Sequence, residues 1–379
     1  MKPRVTIVRF CLPFLMLASC AVAPAQSAPA QSAPATATLR PIPTATRQPP
    51  TETPGPTAVP VPTLGPGFAR LGDGPIVTLG APGAWDYPYT DPGAVAFHNG
   101  RFHMIRNGFQ GWPAAVDWGY ASSADGATWN KGADDMPILR SRDVPYAKLA
   151  ALASSLLVET DNTWVLYFYT WENGSYPSAG GIGRATARNP QGPWTPDKDL
   201  VLKPGAQGAW DSQHVLAPNV LSTADGYVMY YAGYGPSGQQ QIGRATSKDG
   251  IAWIKYDDPS TAAAPYAESD PVLKAGPSGA WDADWVHQPR VFNTGRGWLM
   301  IYRGTPAPRS QTMSLGMATS VDGVVWTRAQ DNPVLSPADI AGTRQFWWTN
   351  GLAREGVLYL FVEGDLGGKT QIYLLTRKI

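Results

Sequence analysis

Apolar residues in this chain come in short runs rich in Val, Tyr and Ile, each closed by a Gly, a Pro or an Asp-Gly pair. The stretch from Gly208 to Leu273 shows the unit. It reads Gly208-Ala-Trp-Asp211, then His214 to Leu221, Ala224 to Gly233, Ile242 to Trp253 and Asp270-Pro-Val-Leu273. Each run has the composition and bounding turns of an antiparallel strand, so the unit predicts four strands. A four-stranded sheet recurring at about 60 to 70 residues cannot bury both faces alone, and stacked copies bury them as the blades of a propeller.

The third-strand signature recurs as Gly119 to Trp129, Ile182 to Trp194, Ile242 to Trp253 and Leu315 to Trp326, with a degenerate fifth at Gln371 to Thr376. A Pro-Val-Leu-like strand follows the first four, as Pro137-Ile-Leu139, Leu200-Val-Leu202, Pro271-Val-Leu273 and Pro333-Val-Leu335. None follows the fifth, whereas Pro75-Ile76-Val77 precedes the first full unit. The pattern therefore predicts an all-β fold over 69–379, a five-bladed propeller in which Pro75 to Leu79 is the outermost strand of the last blade, closing the ring and covering a sheet edge. Inner strands are expected to begin near Pro92, Ala153, Pro218, Pro289 and Gly351. The pairs Asp125-Gly126, Asp249-Gly250 and Asp322-Gly323 read as outer hairpin turns, with Trp129, Trp253 and Trp326 packing between blades.

The first residues follow another pattern. Lys2, Arg4 and Arg9 precede an apolar stretch, Phe10 to Leu17, that is too short to span a bilayer, and Leu17-Ala18-Ser19-Cys20 closes it. This resembles the lipobox of bacterial lipoproteins. The resemblance implies a signal peptide over 1–20, lipidation of Cys20, and an extracytoplasmic protein held to the cell membrane by its lipid anchor only. Over 21–68 the chain is dominated by Pro, Ala, Thr, Ser and Gln, with nothing to bury, and a disordered tether is expected. The only other cysteine, Cys11, lies in the signal peptide, so no internal disulfide is expected and stability must come from a core for which 15 Trp are available. A net charge of +1, with 16% charged residues, argues against a nucleic-acid partner. A monomer is expected.

The repeat count, the strand order, the Ala-Thr-Ser-x-Asp-Gly-x-x-Trp turn and an inner strand entered through Asp91-Pro92 resemble the furanosidase-like five-bladed propellers, which include glycoside hydrolase families 32 and 43 and the family 130 phosphorylases. That resemblance implies catalytic carboxylates entering a central pocket from inner strands, one on the first blade, one on the third and one on the fourth. Asp91 occupies the first position. On the third blade the matching place before Pro218 is Ala217, and on the fourth the place two before Pro289 is His287, so the set is not intact in register. Asp211, Asp284 and Glu363 are the candidate partners, because glycosidic bond cleavage needs one carboxyl to protonate the leaving oxygen and another to attack or activate water. For Asp211 a structural reading competes, since Trp85-Asp86, Trp210-Asp211 and Trp281-Asp282 repeat around the ring.

Sugars present apolar C–H faces between hydroxyls, so a pocket for them needs flat rings and planar hydrogen-bonding groups. Tyr89, Arg106, Trp112, His214, His287, Gln288, Arg290, Arg303, Trp348 and Asn350 are the candidate binding residues. No metal-ligand cluster or cofactor motif is visible, and none is expected to be required. The partner expected is a carbohydrate. Three readings follow: a glycoside hydrolase, a glycan-binding propeller without turnover, and a family-130-like phosphorylase in which one Asp suffices and cations hold phosphate.

Overall fold

The computed structural model describes residues 67–379, apart from positions 73, 176, 177, 308, 309, 311, 312, 341 and 342. The expected signal peptide, Cys20 and nearly all of the expected 21–68 tether lie outside the described residues. Five antiparallel meanders follow one another. Their three long strands are Tyr89–His98, Arg101–Phe109 and Asp117–Ser123 in blade 1; Ala150–Val158, Trp164–Trp171 and Ile182–Ala187 in blade 2; and His214–Thr223, Gly226–Tyr234 and Gln240–Ser247 in blade 3. Blade 4 has Trp285–Asn293, Trp298–Thr305 and Ser314–Ser320, and blade 5 has Phe346–Arg354, Val357–Asp365 and Thr370–Lys378. Inner strands touch in a closed cycle, each against the inner strands of the blades before and after it, with blade 5 against blade 1. They begin a few residues before the expected positions.

The fourth position of every blade is filled by the same kind of contact. Leu139, Leu202, Leu273 and Leu335 pair with Trp118, Ile182, Ile242 and Leu315 on the third strands of blades 1 to 4. In blade 5 the equivalent partner of Ile372 is Val77, from the start of the domain, and Ala69–Arg70 adds a further short strand on Thr376 and Leu375. The ring is thus closed by the N-terminal segment, which covers the outer edge of the last sheet.

Outer turns lock neighbouring blades. In blade 3 the Ser247 hydroxyl accepts from the Gly250 amide while Asp249 Oδ1 accepts from the Ile251 and Ala252 amides, which fixes the turn that Gly250 takes at φ +72. Ser123 with Asp125 and Ser320 with Asp322 repeat the arrangement. The Trp that follows then meets the middle strand of the preceding blade edge to face: Trp129 on Phe361, Trp253 on Tyr167 and Trp326 on Tyr230. Middle strands are covered on both faces, so they read as nearly continuous apolar runs such as Trp164 to Tyr169. His103, near the start of the middle strand of blade 1, is buried: its ring lies 4.8 Å from Trp164 and its Nδ1 pairs with the Tyr120 hydroxyl at 2.7 Å.

Candidate functional site

Each inner strand is interrupted by a bulge at the same level. The breaks lie between Asp91 and Ala94, Ala153 and Ser155, Leu216 and Asn219, His287 and Arg290, and Phe346 and Thr349. An extra residue on one strand bends it and re-aims its side chains, which is why bulges gather beside binding sites. Register makes Leu216, not Ala217, the third-blade equivalent of Asp91. Alignment on the prolines misplaces it by one, because Pro92 is the first bulge residue and Pro218 the second. His287 does hold the equivalent place in blade 4.

Above the bulges lies a central cavity of about 540 Å³. Asp91, Glu363 and Asp365 bring carboxylates to it, and His287, Gln288, Arg303, Gln240, Arg344 and Gln345 bring other polar groups. The rest of the wall is largely aromatic. Tyr169 stacks on Trp348 with ring centres 5.5 Å apart, Tyr89 stacks on Phe109 at 5.0 Å, and Trp112 meets Trp171 edge to face at 5.4 Å. The polar groups are buried except Arg344, which is exposed at the mouth with Trp112 and Trp347, themselves 44% and 37% exposed.

Asp91 is held asymmetrically. Its Oδ1 accepts from the Gly93 amide at 2.7 Å and from Asn107 Nδ2 at 2.8 Å, leaving Oδ2 without a donor among the described residues. Burial pushes its carboxyl up to about 7, against the pull of those two donors and of the Arg290 charge. Glu363 is pushed well above the usual carboxylate range, first by burial and then by the Asp91 charge, while Thr370 and Arg303 act the other way. Both carboxyls are thus biased towards the protonated form, and at Glu363 the Asp91 charge adds to the effect of burial. Asp365 adds a third carboxyl to the wall, tied to the Gly368 amide at 2.7 Å and to Arg344 at 3.3 Å.

Across the pocket, Arg303 donates from Nε to His287 Nε2 at 2.6 Å and from Nη1 to the carbonyls of Phe346 and Trp347. Burial and the neighbouring guanidinium hold His287 well below its ordinary value, so it is neutral, with its proton on Nδ1. Arg303 is itself lowered to about 10 by burial.

Just below the pocket level the inner strands are tied together by a ring of polar bonds. Asn107 joins blade 1 to blade 2 by accepting from the Ala153 amide at 2.8 Å and donating to the Ala153 carbonyl at 3.2 Å. Ser154 Oγ donates to the Pro218 carbonyl, and Asn219 accepts from the Val291 amide, each at 2.7 Å. Arg290 Nε donates to the Thr349 carbonyl at 2.8 Å, and Asn350 donates to the Gly93 and Ser154 carbonyls, completing the cycle. Arg290 is 0% exposed, lies 5.0 Å from the centre of the Trp348 ring, and forms no ion pair with a carboxylate among the described residues. Burial lowers it to about 9.

The structure brings Asp91, Glu363, Tyr89, Trp112, His287, Gln288, Arg303 and Trp348 to one pocket, and Arg290 and Asn350 to the plug beneath it. Four expected residues are elsewhere. Asp211 is a buried packing carboxylate: its Oδ2 accepts from Lys255 at 2.6 Å and from the Tyr231 hydroxyl at 3.1 Å, while Trp210 stacks on Tyr231. Asp282 repeats this with Tyr302 and Arg328, and Asp86 with Arg106, whose guanidinium lies 4.6 Å from the Trp85 ring centre and also pairs with Asp135. Arg106 thereby belongs to the Trp-Asp device and not to the pocket. His214 is buried between blades 2 and 3, with Nε2 on the Thr170 carbonyl at 2.9 Å, and burial drops it to about 3. Asp284 is half-buried just before the inner strand of blade 4, outside the cavity lining.

Sequence reasoning missed Gln240, Trp285, Tyr169, Phe109, Arg344, Gln345 and Asp365 as lining. One signal was available for Asp365: strand alternation places it on the face that Glu363 occupies, two residues earlier. Gln240 and Trp285 reach the pocket through their parallel contact between blades 3 and 4, which no local pattern announces. Among the described residues, no group of three His, Cys, Asp or Glu side chains is placed to hold a metal ion.

The fold is a five-bladed β-propeller with a pocket at its axis, and solved glycoside hydrolase structures share that fold. Among solved structures, the chain is similar to a glycosyl hydrolase from Bacteroides ovatus, with 17% identity and a TM-score of 0.60 over 81% of this chain and 93% of that one. A structure titled for mannoside phosphorylases and hydrolases of family 130, said to target β-1,2 mannosidic linkages in Candida mannan, gives 16% identity and a TM-score of 0.59 over 81% and 93%. A thermostable family 43 glycoside hydrolase gives 15% and 0.55 over 77% and 92%. No protein-family model and no curated protein matches the chain.

Proposed function

We propose that the protein is a glycoside hydrolase in which Glu363 is the general acid and Asp91 the base or nucleophile. The observation that supports this is a pair of buried carboxyls on one pocket in different environments, Asp91 held by the Gly93 amide and Asn107, which favour its charge, and Glu363 raised by burial and by the Asp91 charge. Glu363 gives its proton to the glycosidic oxygen as the bond to the anomeric carbon breaks. Asp91 then either bonds that carbon, after which a water deprotonated by Glu363 displaces it and restores both carboxyls, or takes a proton from the attacking water, after which proton exchange with solvent resets the pair. Aromatic rings receive the C–H faces of the sugar, and Gln288, Gln240 and the His287 Nδ1 proton offer hydrogen-bonding groups to its hydroxyls.

Phosphorolysis is a second reading, favoured by the Arg303 and His287 pair and by Arg344 at the same pocket. A screen of nitrophenyl glycosides and oligosaccharides, run with and without phosphate, separates the two. Turnover in phosphate-free buffer, lost by several orders of magnitude in Asp91→Asn, is expected; turnover only with phosphate supports phosphorolysis, and saturable binding without turnover supports a binding propeller. We also propose that the propeller acts outside the cytoplasmic membrane as a lipid-anchored monomer, on the strength of the Leu17-Ala-Ser-Cys20 signature. Cys20→Ala should move it to the soluble fraction or block its processing, and unchanged membrane fractionation would contradict the anchor.

A further inference from the structure

We infer that the pocket admits one end of a glycan chain and cleaves there, never within the chain, an inference that rests on the hydrolase reading. Two observations combine. The polar ring below the bulges closes the axis: Arg290 and Ser154 are fully buried, and bonds from Asn107, Ser154, Asn219, Arg290 and Asn350 cross every junction between blades. A chain therefore has no exit past Asp91 and Glu363 in that direction. The second observation is the change of wall with depth. The buried part of the wall carries Asp91, Glu363, His287, Gln288 and Arg303 beside the rings of Tyr169 and Trp348, whereas Trp112, Trp347 and Arg344 stand exposed at the mouth. A buried floor that offers both hydrogen-bonding groups and flat rings, under an exposed rim with two Trp, fits one terminal sugar held by its hydroxyls, with the next unit stacked where it leaves towards solvent.

Cleavage in this mode consumes one water per bond and releases one terminal unit at a time. The test uses linear oligosaccharides labelled at the reducing end, beside cyclic chains and chains blocked at both ends, with products followed from the earliest time points. Stepwise shortening by one unit, with cyclic and blocked chains left intact, is the expected result. Prompt appearance of mid-length products, or cleavage of blocked chains at a comparable rate, would overturn the inference and leave the hydrolase reading standing. If the wild type turns over no chain, binding to Asp91→Asn followed by tryptophan fluorescence still decides. Saturation by open chains but not by cyclic or blocked ones supports the blind pocket while refuting hydrolysis, and equal binding of both kinds, or binding of neither, overturns it. Trp347→Ala should weaken a three-unit chain by roughly tenfold, and a single-unit glycoside by less, because the rim ring meets the leaving side.

Discussion

Asp91 has one oxygen committed to Gly93 and Asn107 and the other turned to the cavity, so its orientation is fixed before any ligand arrives. Burial of that carboxyl lowers stability. Burial pushes the carboxyl up to about 7 in the folded protein, from 3.8 for a free aspartate, so the folded state binds more protons between those values, and stability falls as pH rises through that window. Asp91→Asn removes the titration and keeps an oxygen for both donors. Its melting temperature should exceed that of the wild type by a few degrees at pH 8, with a smaller difference at pH 5. Calorimetry at the two pH values checks this, and a gain that does not change with pH would exclude the buried charge as its cause. The same residue was legible in the sequence because it opens an inner strand beside a proline. Asp211 and Arg106 were not separable from site residues by local pattern, since a carboxylate or guanidinium near an inner strand looks alike whether it faces the axis or, as here, packs beside a Trp. His214 failed for the same reason, its ring being spent on the contact between blades 2 and 3.

At the scale of elements, the repeated turn is the device that sets blade spacing. Tyr230 donates to the Gly323 carbonyl at 2.7 Å and Tyr167 to the Gly250 carbonyl at 2.8 Å, so the middle strand of one blade holds the outer turn of the next. Tyr230→Phe keeps the ring under Trp326 and leaves a buried carbonyl short of a donor. The expected cost is about 1 to 3 kcal/mol, read from denaturant midpoints at unchanged slope, with activity retained. Strands and turns were legible because short runs rich in Val, Tyr and Ile, closed by Gly, Pro or Asp-Gly, are local signals. The bulges were not. They depend on how five inner strands crowd one axis, and so the third-blade equivalent of Asp91 was misread by one residue.

For the whole molecule, closure of the ring is the claim that sequence supported through an imbalance of repeats, five third strands against four that are followed by a partner. Val77 fills the missing place on Ile372. Deleting 1–80 should therefore lower the melting temperature far more than deleting 1–66, because it uncovers the edge of blade 5 and the buried Val77 contact. Equal melting temperatures for the two deletions would show that the fifth sheet does not need its N-terminal partner.

The division of labour between Glu363 and Asp91 is tested most directly by the dependence of kcat/KM on leaving-group pKa, measured for wild type, Glu363→Gln and Asp91→Asn on a series of aryl glycosides of the sugar that the protein cleaves. If Glu363 supplies the proton, Glu363→Gln loses little on the most acidic leaving groups and several orders of magnitude on the least acidic, giving a steep slope where the wild type is nearly flat. Asp91→Asn should be slow across the whole series. A Glu363→Gln variant whose slope matches that of the wild type, or an Asp91→Asn variant with undiminished rates, would contradict the assignment of the acid and the base to this pair.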